Sequence, residues 1–246
     1  MKKNIKPIRC LLLAAGLGTR LRPLTDHIPK CLVEVGGKPI ISWWLDCLKT
    51  VDCEKVIINT HYHSTQVTKH LNIYERGKLE IQEQFEKNLL GTAGTLIKHA
   101  SFFEGVTGLL IHADNATDTS LKELIEAHQS RPEYCMMTML TFSTDEPSKC
   151  GIVEIDNNGV VQEFHEKVKY PPGNRANGAV YVFEEELLNY LIKSQKDASD
   201  FSTEVLPRLV GRIYTHHIHD HFIDIGTPES LSKARRIWST LGPTAL

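Results

Sequence analysis

The chain lacks the long apolar runs, the strong net charge and the cysteine spacings that would assign it to several broad classes. None of its hydrophobic stretches approaches the ~18 residues that a membrane-spanning helix needs. Its 28 basic and 30 acidic side chains leave a formal charge of −2, so the balance points to no nucleic-acid or anionic-membrane partner. The six cysteines (Cys10, Cys31, Cys47, Cys53, Cys135 and Cys150) form no CxxC pair and no disulfide-framework spacing. Several lie in apolar segments, as reduced buried thiols do in a cytosolic protein, so a cytoplasmic location is expected. There is no internal repeat, low-complexity tract or flexible linker. What is present is ordinary for a globular chain of 246 residues, with 41% apolar and 24% charged side chains.

The start of the chain imitates a secretory leader, with Lys2, Lys3 and Lys6 ahead of Ile8-Arg9-Cys10-Leu11-Leu12-Leu13-Ala14-Ala15. Arg9 interrupts the apolar run, which passes directly into Gly16-Leu17-Gly18-Thr19-Arg20. A buried parallel strand entering a phosphate loop has this composition, and the strand reading is adopted. Strand-like and helix-like segments then alternate. Strands are expected at 8–14, 55–59, 79–84, 109–112 and 134–142, and helices at 39–51, 64–71, 92–103 and 120–129. In the first helix Ile40, Trp44 and Leu48 recur at four-residue spacing, with Pro39 in the first turn; Ser64 is the expected cap of the second. Trp43 and Trp44 are neighbours and so face different ways, which predicts one in the core and one at a subunit contact. This rhythm points to a mostly parallel sheet covered on both faces.

After about residue 144 the texture changes. Short strands at 151–155, 160–165 and 179–183 are separated by the hairpin signal Asn157-Asn158-Gly159 and a loop at Tyr170-Pro171-Pro172-Gly173-Asn174. Two helices, a strand near 212–219 and a final helix from about Pro228 follow. One α/β domain with a β-rich insertion is the expectation, with a first half over about 1–143, a second over about 144–230 and a C-terminal helix over about 228–241.

The glycines after the first strand suit a loop that lets phosphate oxygens reach backbone N–H groups. Two familiar phosphate loops fail by counting. A dinucleotide-binding GxGxxG needs glycine where Leu21 stands, and an acidic residue where the second strand ends in Asn59-Thr60-His61. A Walker A loop needs Ser or Thr after Gly37-Lys38, where Pro39 stands.

What remains is Gly16-x-Gly18-Thr19-Arg20-x-x-Pro23-x-Thr25-x-x-x-Pro29-Lys30. This string resembles the signature of the nucleotidyltransferases that join a nucleoside triphosphate to a sugar 1-phosphate and release pyrophosphate. The resemblance continues, in the family's order, through Leu90-Gly91-Thr92-Ala93-Gly94, His112-Ala113-Asp114-Asn115, Cys150-Gly151-Ile152-Val153-Glu154 and Phe164-His165-Glu166-Lys167. It ends with Asn177-Gly178-Ala179-Val180-Tyr181 and Phe222-Ile223-Asp224-Ile225-Gly226-Thr227-Pro228-Glu229, and so covers nearly the whole chain. It implies a Rossmann-like, mostly parallel mixed sheet with helices on both faces, the nucleotide-diphospho-sugar transferase fold. It also implies Arg20 on the departing β- and γ-phosphates, Lys30 on the α-phosphate and Lys167 on the incoming sugar phosphate. Nucleotide contacts fall to Leu13, Ala14, Ala15, Gly16, Gly18, Thr19, Gly91 and Thr92, and sugar contacts to Gly151, Glu166, Lys167 and Asn177.

Asp114 follows a predicted buried strand at the end where α/β sheets place ligands, and Asp224 precedes Gly226. Read from the residues alone, a helix N-cap also suits Asp114, and a turn suits Asp224. The family places its metal-binding aspartates at these two blocks, and two carboxylates with phosphate oxygens suit Mg²⁺. Glu86, five residues before Gly91, stands where uridylyl and thymidylyl relatives carry an amide. Guanine offers N1–H and N2 amino donors that a carboxylate accepts, so the resemblance is nearest to guanylyltransferases acting on mannose-1-phosphate or D-glycero-D-manno-heptose-1-phosphate. The expected partners are therefore a nucleoside triphosphate, GTP favoured, and a sugar 1-phosphate, with a homodimer left open.

Other readings stay open. Uridylyl, thymidylyl or cytidylyl transfer uses the same phosphate machinery, and a silent nucleotide-sugar sensor needs none of the five charged residues that are all present. A glycosyltransferase is expected to carry a DxD pair, which Asp114-Asn115-Ala116 lacks. No hexapeptide repeat follows the Asp224 block, so an appended β-helix with a second activity is not expected. His217, His219 and His221 would share one face of a strand, as a zinc site or, more blandly, as an exposed histidine stripe. The same bland reading suits His61-Tyr62-His63.

Overall fold

Apolar periodicity and burial account for most elements of the computed structural model, which describes residues 6–241; Lys2 and Lys3 lie outside them. In chain order these are β1 (Ile8–Leu13), β2 (Glu34–Val35), β3 (Lys38–Pro39), α1 (Ile40–Thr50), β4 (Lys55–Thr60), α2 (Ser64–Ile73) and β5 (Glu80–Phe85). Next come α3 (Gly91–Lys98), β6 (Thr107–His112), β7 (Asn115–Thr117), α4 (Leu121–Gln129), β8 (Met137–Ser143), β9 (Gly151–Ile155), β10 (Val161–Glu166) and β11 (Arg175–Phe183). The chain ends with α5 (Glu185–Ser194), β12 (Ile213–His217), β13 (Phe222–Asp224) and α6 (Pro228–Leu241). The class is α/β, with helices and a mixed sheet that is parallel in the β4–β5 and β8–β12 pairings and antiparallel in β8–β11 and β9–β10.

The chain divides into two compact units whose segments alternate along the sequence. The first comprises residues 10–89, 111–121 and 220 onward. In it β1, β4 and β5 are successive neighbours, and β4 pairs with β5 in register from Lys55↔Glu80 to Thr60↔Phe85. A three-residue ribbon, β7 against β13, pairs Phe222 with Thr117, Ile223 with Ala116 and Asp224 with Asn115. Behind that ribbon Ala116, Ile223 and Ile225 share a core with Ile40 and Trp43 of α1 and Leu231, Ala234 and Trp238 of α6. Pro39 stands outside α1, opposite Glu34 in the β2–β3 ladder, and not in the first turn. The cap of α2 is His63, with φ 53°, and Ser64 is its first helical residue.

The expectation that only one of Trp43 and Trp44 is buried is corrected: they are 4% and 1% exposed. Helix α1 is covered on more than one side, with eight of its eleven residues buried, so neighbours that face different ways both find core. Neither indole is available to a subunit contact.

The second unit comprises residues up to 9, 90–110 and 122–219. Its strands run β10-β9-β11, with β8 beside β11 and β12 beside β8. Asn157-Asn158-Gly159 closes the expected β9–β10 hairpin, with Gly159 at φ 77°. Strand β11 begins at Arg175, four residues before the expected start, because Arg175, Ala176 and Asn177 pair with Ser143, Phe142 and Thr141. The register shifts between Asn177 and Tyr181, with Ala179 at φ 52° inside the irregularity.

Candidate nucleotide and acceptor sites

The turn after β1 is built around Gly18, whose φ is 64°. Its carbonyl accepts from Leu21 N–H at 2.9 Å and from Thr25 Oγ1 at 2.7 Å. A Cβ on Gly18 would lie 2.9 Å from Thr25 Cγ2, so both backbone conformation and space demand glycine. Thr19 and Arg20 follow in a short 3₁₀ turn, and Gly16 faces open space. Leu13 O accepts from Ala113 N–H at 3.0 Å, and Ala15 is buried. Ala14 N–H donates to Asn59 Oδ1 at 2.8 Å, while Asn59 Nδ2 donates to Glu86 Oε1 at 3.1 Å. Glu86 is 2% exposed. Asn59 therefore joins the loop backbone to the residue expected to read the base. Sequence reasoning used Asn59 only to reject a dinucleotide site.

Arg20, Lys30, Asp114 and Asp224 come together in this unit. The Lys30 ammonium, with its side chain 9% exposed, lies 2.5 Å from Asp114 Oδ2 and 3.0 Å from Asp224 Oδ1. Arg20 Nη2 approaches Asp224 Oδ2 at 3.8 Å. Burial works against the Lys30 charge, but the two carboxylates outweigh it and raise its pKa. Burial likewise opposes the Asp114 carboxylate, but Lys30, with His112 adding, holds its pKa below the ordinary value. The β7–β13 register explains how aspartates far apart in sequence meet: Asp224 pairs with Asn115, and Ile225 N–H donates to Asp114 O at 3.0 Å. Trp44 Nε1 donates to Asn115 O at 2.9 Å and pins the ribbon to α1. Two oxygen donors converging on one buried cation position are a donor set that fits Mg²⁺, which takes few protein ligands and keeps water or phosphate as the rest.

The remaining predicted residues belong to the other unit. Gly91 and Thr92 open α3, where Thr92 Oγ1 accepts from Phe201 N–H at 2.7 Å and Ala93 N–H donates to Ser199 O at 2.9 Å. These bonds tether α3 to the 199–201 segment. Gly151 pairs with Glu166 across β9 and β10, and a Cβ there would lie 2.6 Å from Glu166 Oε2. The absence of a side chain at 151 is thus what lets the Glu166 carboxylate lie over the sheet. Lys167 follows at φ 51°, an uncommon backbone state for lysine, and its ammonium is 3.0 Å from Glu166 Oε1. Strained residues of this kind concentrate at functional sites. Asn177 braces the irregularity in β11: its Oδ1 accepts from Ala179 N–H at 2.9 Å and its Nδ2 donates to Tyr181 Oη at 2.8 Å.

The histidine stripe is corrected. Strand β12 ends at His217, His219 packs edge-on against His217, and His221 Nδ1 lies 2.8 Å from Asp118 Oδ2. The three rings do not share a strand face because the strand ends before the second. His61 Nδ1 lies 2.7 Å from Glu86 O, and His63 Nε2 lies 3.1 Å from Asp26 O, both local ties. Five of the six free cysteines are buried, and burial pushes the Cys31, Cys47 and Cys53 thiols up to about 12.

A family model described as nucleotidyl transferase matches residues 9–239. The catalytic subunit beta of mannose-1-phosphate guanylyltransferase from Drosophila melanogaster is 31% identical over 227 residues, covering 90% of this chain and 60% of that protein. The UTP–glucose-1-phosphate uridylyltransferase of a Synechocystis strain is 26% identical over 235 residues, covering 89% and 60%. The chain therefore spans about 60% of the length of these curated relatives. Among solved structures, a Bacillus anthracis protein named as a candidate glucose-1-phosphate thymidylyltransferase superposes with a TM-score of 0.84 at 22% identity, covering 94% of this chain and 95% of that one. At that identity the likeness is one of fold.

Proposed function

Because the chain belongs to the nucleotidyl transferase family, we propose that it transfers a nucleoside monophosphate from a nucleoside triphosphate to a sugar 1-phosphate, with GTP and mannose- or heptose-1-phosphate as the pair. An oxygen of the sugar phosphate bonds to the α-phosphorus. The bond from that phosphorus to the β-phosphate's bridging oxygen breaks, and pyrophosphate leaves with the electron pair. Such a transfer needs no protein nucleophile, only positioning and neutralised charge. The need is large, since two unit charges 4 Å apart repel by ~4 kcal/mol at an effective dielectric near 20.

The observation that carries this reading is the meeting of Arg20, Lys30, Asp114 and Asp224 in one compact unit with the Gly18 turn. In it Arg20 neutralises the departing phosphates and Lys30 the α-phosphate. Asp114 and Asp224 would hold a divalent ion, Mg²⁺ by donor chemistry, which when bound supplies further charge neutralisation to the triphosphate. Glu86, oriented by Asn59, is the proposed reader of guanine. Gly151, Glu166, Lys167 and Asn177 are assigned to the sugar phosphate. Guanylyl and uridylyl transferases both stand among the relatives, so the base is decided by measurement. Free buried thiols suit a reducing, cytoplasmic setting.

The test is pyrophosphate release with Mg²⁺ across GTP, UTP, dTTP, CTP and ATP against mannose-, glucose-, N-acetylglucosamine- and heptose-1-phosphates. The expected result is a GTP-selective signal that requires a sugar phosphate. A UTP- or dTTP-selective signal keeps the transfer and removes Glu86 as the guanine reader. Silence across the grid, with nucleotide binding intact, favours the sensor reading.

A further inference from the structure

The sheet face that carries Glu166 and Asn177 continues past them. Residues directly opposite across paired strands point to the same face, as do residues two apart along one strand. The pairings Asn177↔Thr141, Arg175↔Ser143 and His217↔Thr141 therefore put all five side chains on one face of β11, β8 and β12. The contacts agree. Arg175 Nη1 donates to Thr141 Oγ1 at 3.4 Å, and the same hydroxyl lies 3.2 Å from His217 Nδ1. Ser143 Oγ lies 3.3 Å from His217 Nε2, and the His219 ring meets His217 edge-on with centroids 5.1 Å apart.

The cluster has cations and hydroxyls but no counter-ion. Among the described residues no carboxylate pairs with Arg175, His217 or His219, although Arg175 is only half-exposed and burial lowers its pKa. Leaving a desolvated guanidinium unpaired is costly, and its planar fork matches an oxyanion. Burial first, then the charges of Arg175, His219 and His216, push His217 down to about 4. The groups at that ring are thus Arg175 from β11, Thr141 and Ser143 from β8, and His219 just past the strand end, none of them acidic; His216, next to it in β12, points to the other face and acts on it through charge alone.

We propose that Arg175, Thr141, Ser143, His217 and His219 form an oxyanion subsite for a second charged group, a carboxylate or phosphate, carried by the acceptor in addition to its 1-phosphate. This rests on the assignment of Glu166, Lys167 and Asn177 to the acceptor. The acceptor is then an acidic derivative of a mannose- or heptose-type sugar 1-phosphate, and the neutral parent 1-phosphate is the poorer substrate.

Two measurements test it. In the first, kcat/KM is compared for mannose-1-phosphate, a hexuronic acid 1-phosphate and a hexose 1,6-bisphosphate. The native protein is expected to favour one acidic acceptor, and which one identifies the group. Arg175→Gln is expected to erase about ten- to a hundredfold of that preference through KM, as loss of a charged hydrogen bond does. No preference in the native protein, or an equal loss on all three acceptors, overturns the subsite. The second measurement needs no turnover: inorganic phosphate is titrated against the His217 ring signals by NMR. They are expected to move in the native protein and stay in Arg175→Gln, and signals that do not move in the native protein overturn the subsite. Movement at His217 with no acceptor turned over keeps the oxyanion site and overturns the transferase reading beneath it.

Discussion

At Lys30 one ammonium balances two carboxylates, and the three groups differ in their access to water. The Lys30 side chain is 9% exposed, whereas those of Asp114 and Asp224 are 36% and 51% exposed. Removing the ammonium leaves two acids facing each other without a counter-ion. Breaking a fully buried pair costs about 3–5 kcal/mol, so the partial exposure here argues for a cost of about 2 kcal/mol. Lys30→Met should therefore melt below the native protein in chelator, and Mg²⁺ should raise its Tm more than it raises that of the native protein. An equal Mg²⁺ response in both would show that the lysine and the metal do not share a position. Asp114→Asn and Asp224→Asn should each lower turnover by about a hundredfold or more, the scale of losing one preorganised electrostatic contact, with smaller changes in stability. Near-full activity in either variant removes that aspartate from the mechanism. Both aspartates and Lys30 were legible as single residues from their motif blocks. The bond from Asn59 to Glu86 was not, because it joins the ends of different strands.

Among elements, the start of α5 shows how one titrating group ties several segments. Glu184, the N-cap residue, accepts from Thr107 Oγ1 at 2.8 Å and meets Lys6 Nζ at 2.5 Å, with His128 Nε2 at 3.6 Å. Burial alone would raise its pKa, but contacts with His128, Lys6 and Thr107 outweigh it and hold the carboxyl at about 2. Because the folded value is depressed, the unfolded chain binds more protons at pH values between the two pKa values. The stabilisation is thus complete above roughly pH 5 and is lost as pH falls towards 2. Urea midpoints should fall more steeply between those limits in the native protein than in Glu184→Gln, and parallel profiles would remove Glu184 as the cause. The longer helices and the β9–β10 hairpin were readable from periodicity and turn residues. The ribbon β7–β13 was not, since three-residue strands contain too few residues to show a period. The early start of β11 was also hidden, because Arg175, Asn177 and Gly178 are not strand-favouring residues.

For the whole molecule, the interleaving of the two units governs what can be cut. The unit that holds the metal-ligand candidates draws Asp224, Ile225 and α6 from the last part of the chain. A fragment of residues 1–143 keeps the Gly18 loop, Lys30 and Asp114 but loses Ile223, Ile225, Leu231, Ala234 and Trp238 from the shared core. It should melt without cooperativity and bind no nucleotide, as calorimetry and nucleotide titration would show; cooperative unfolding would mean that the contiguous half is self-sufficient. Local pattern was enough for the α/β rhythm, the glycine turn after β1 and the family, and it singled out Asp114 and Asp224 as candidates, because these reside in periodicity and in residue types at short spacing. Only long-range packing places Lys30 between Asp114 and Asp224, buries both tryptophans of α1, and brings Arg175 and His217 together on one sheet face, where among the described residues no carboxylate pairs with either. Each of these depends on the register between segments distant in the chain, and register is set by long-range pairing and core packing, which no local pattern encodes.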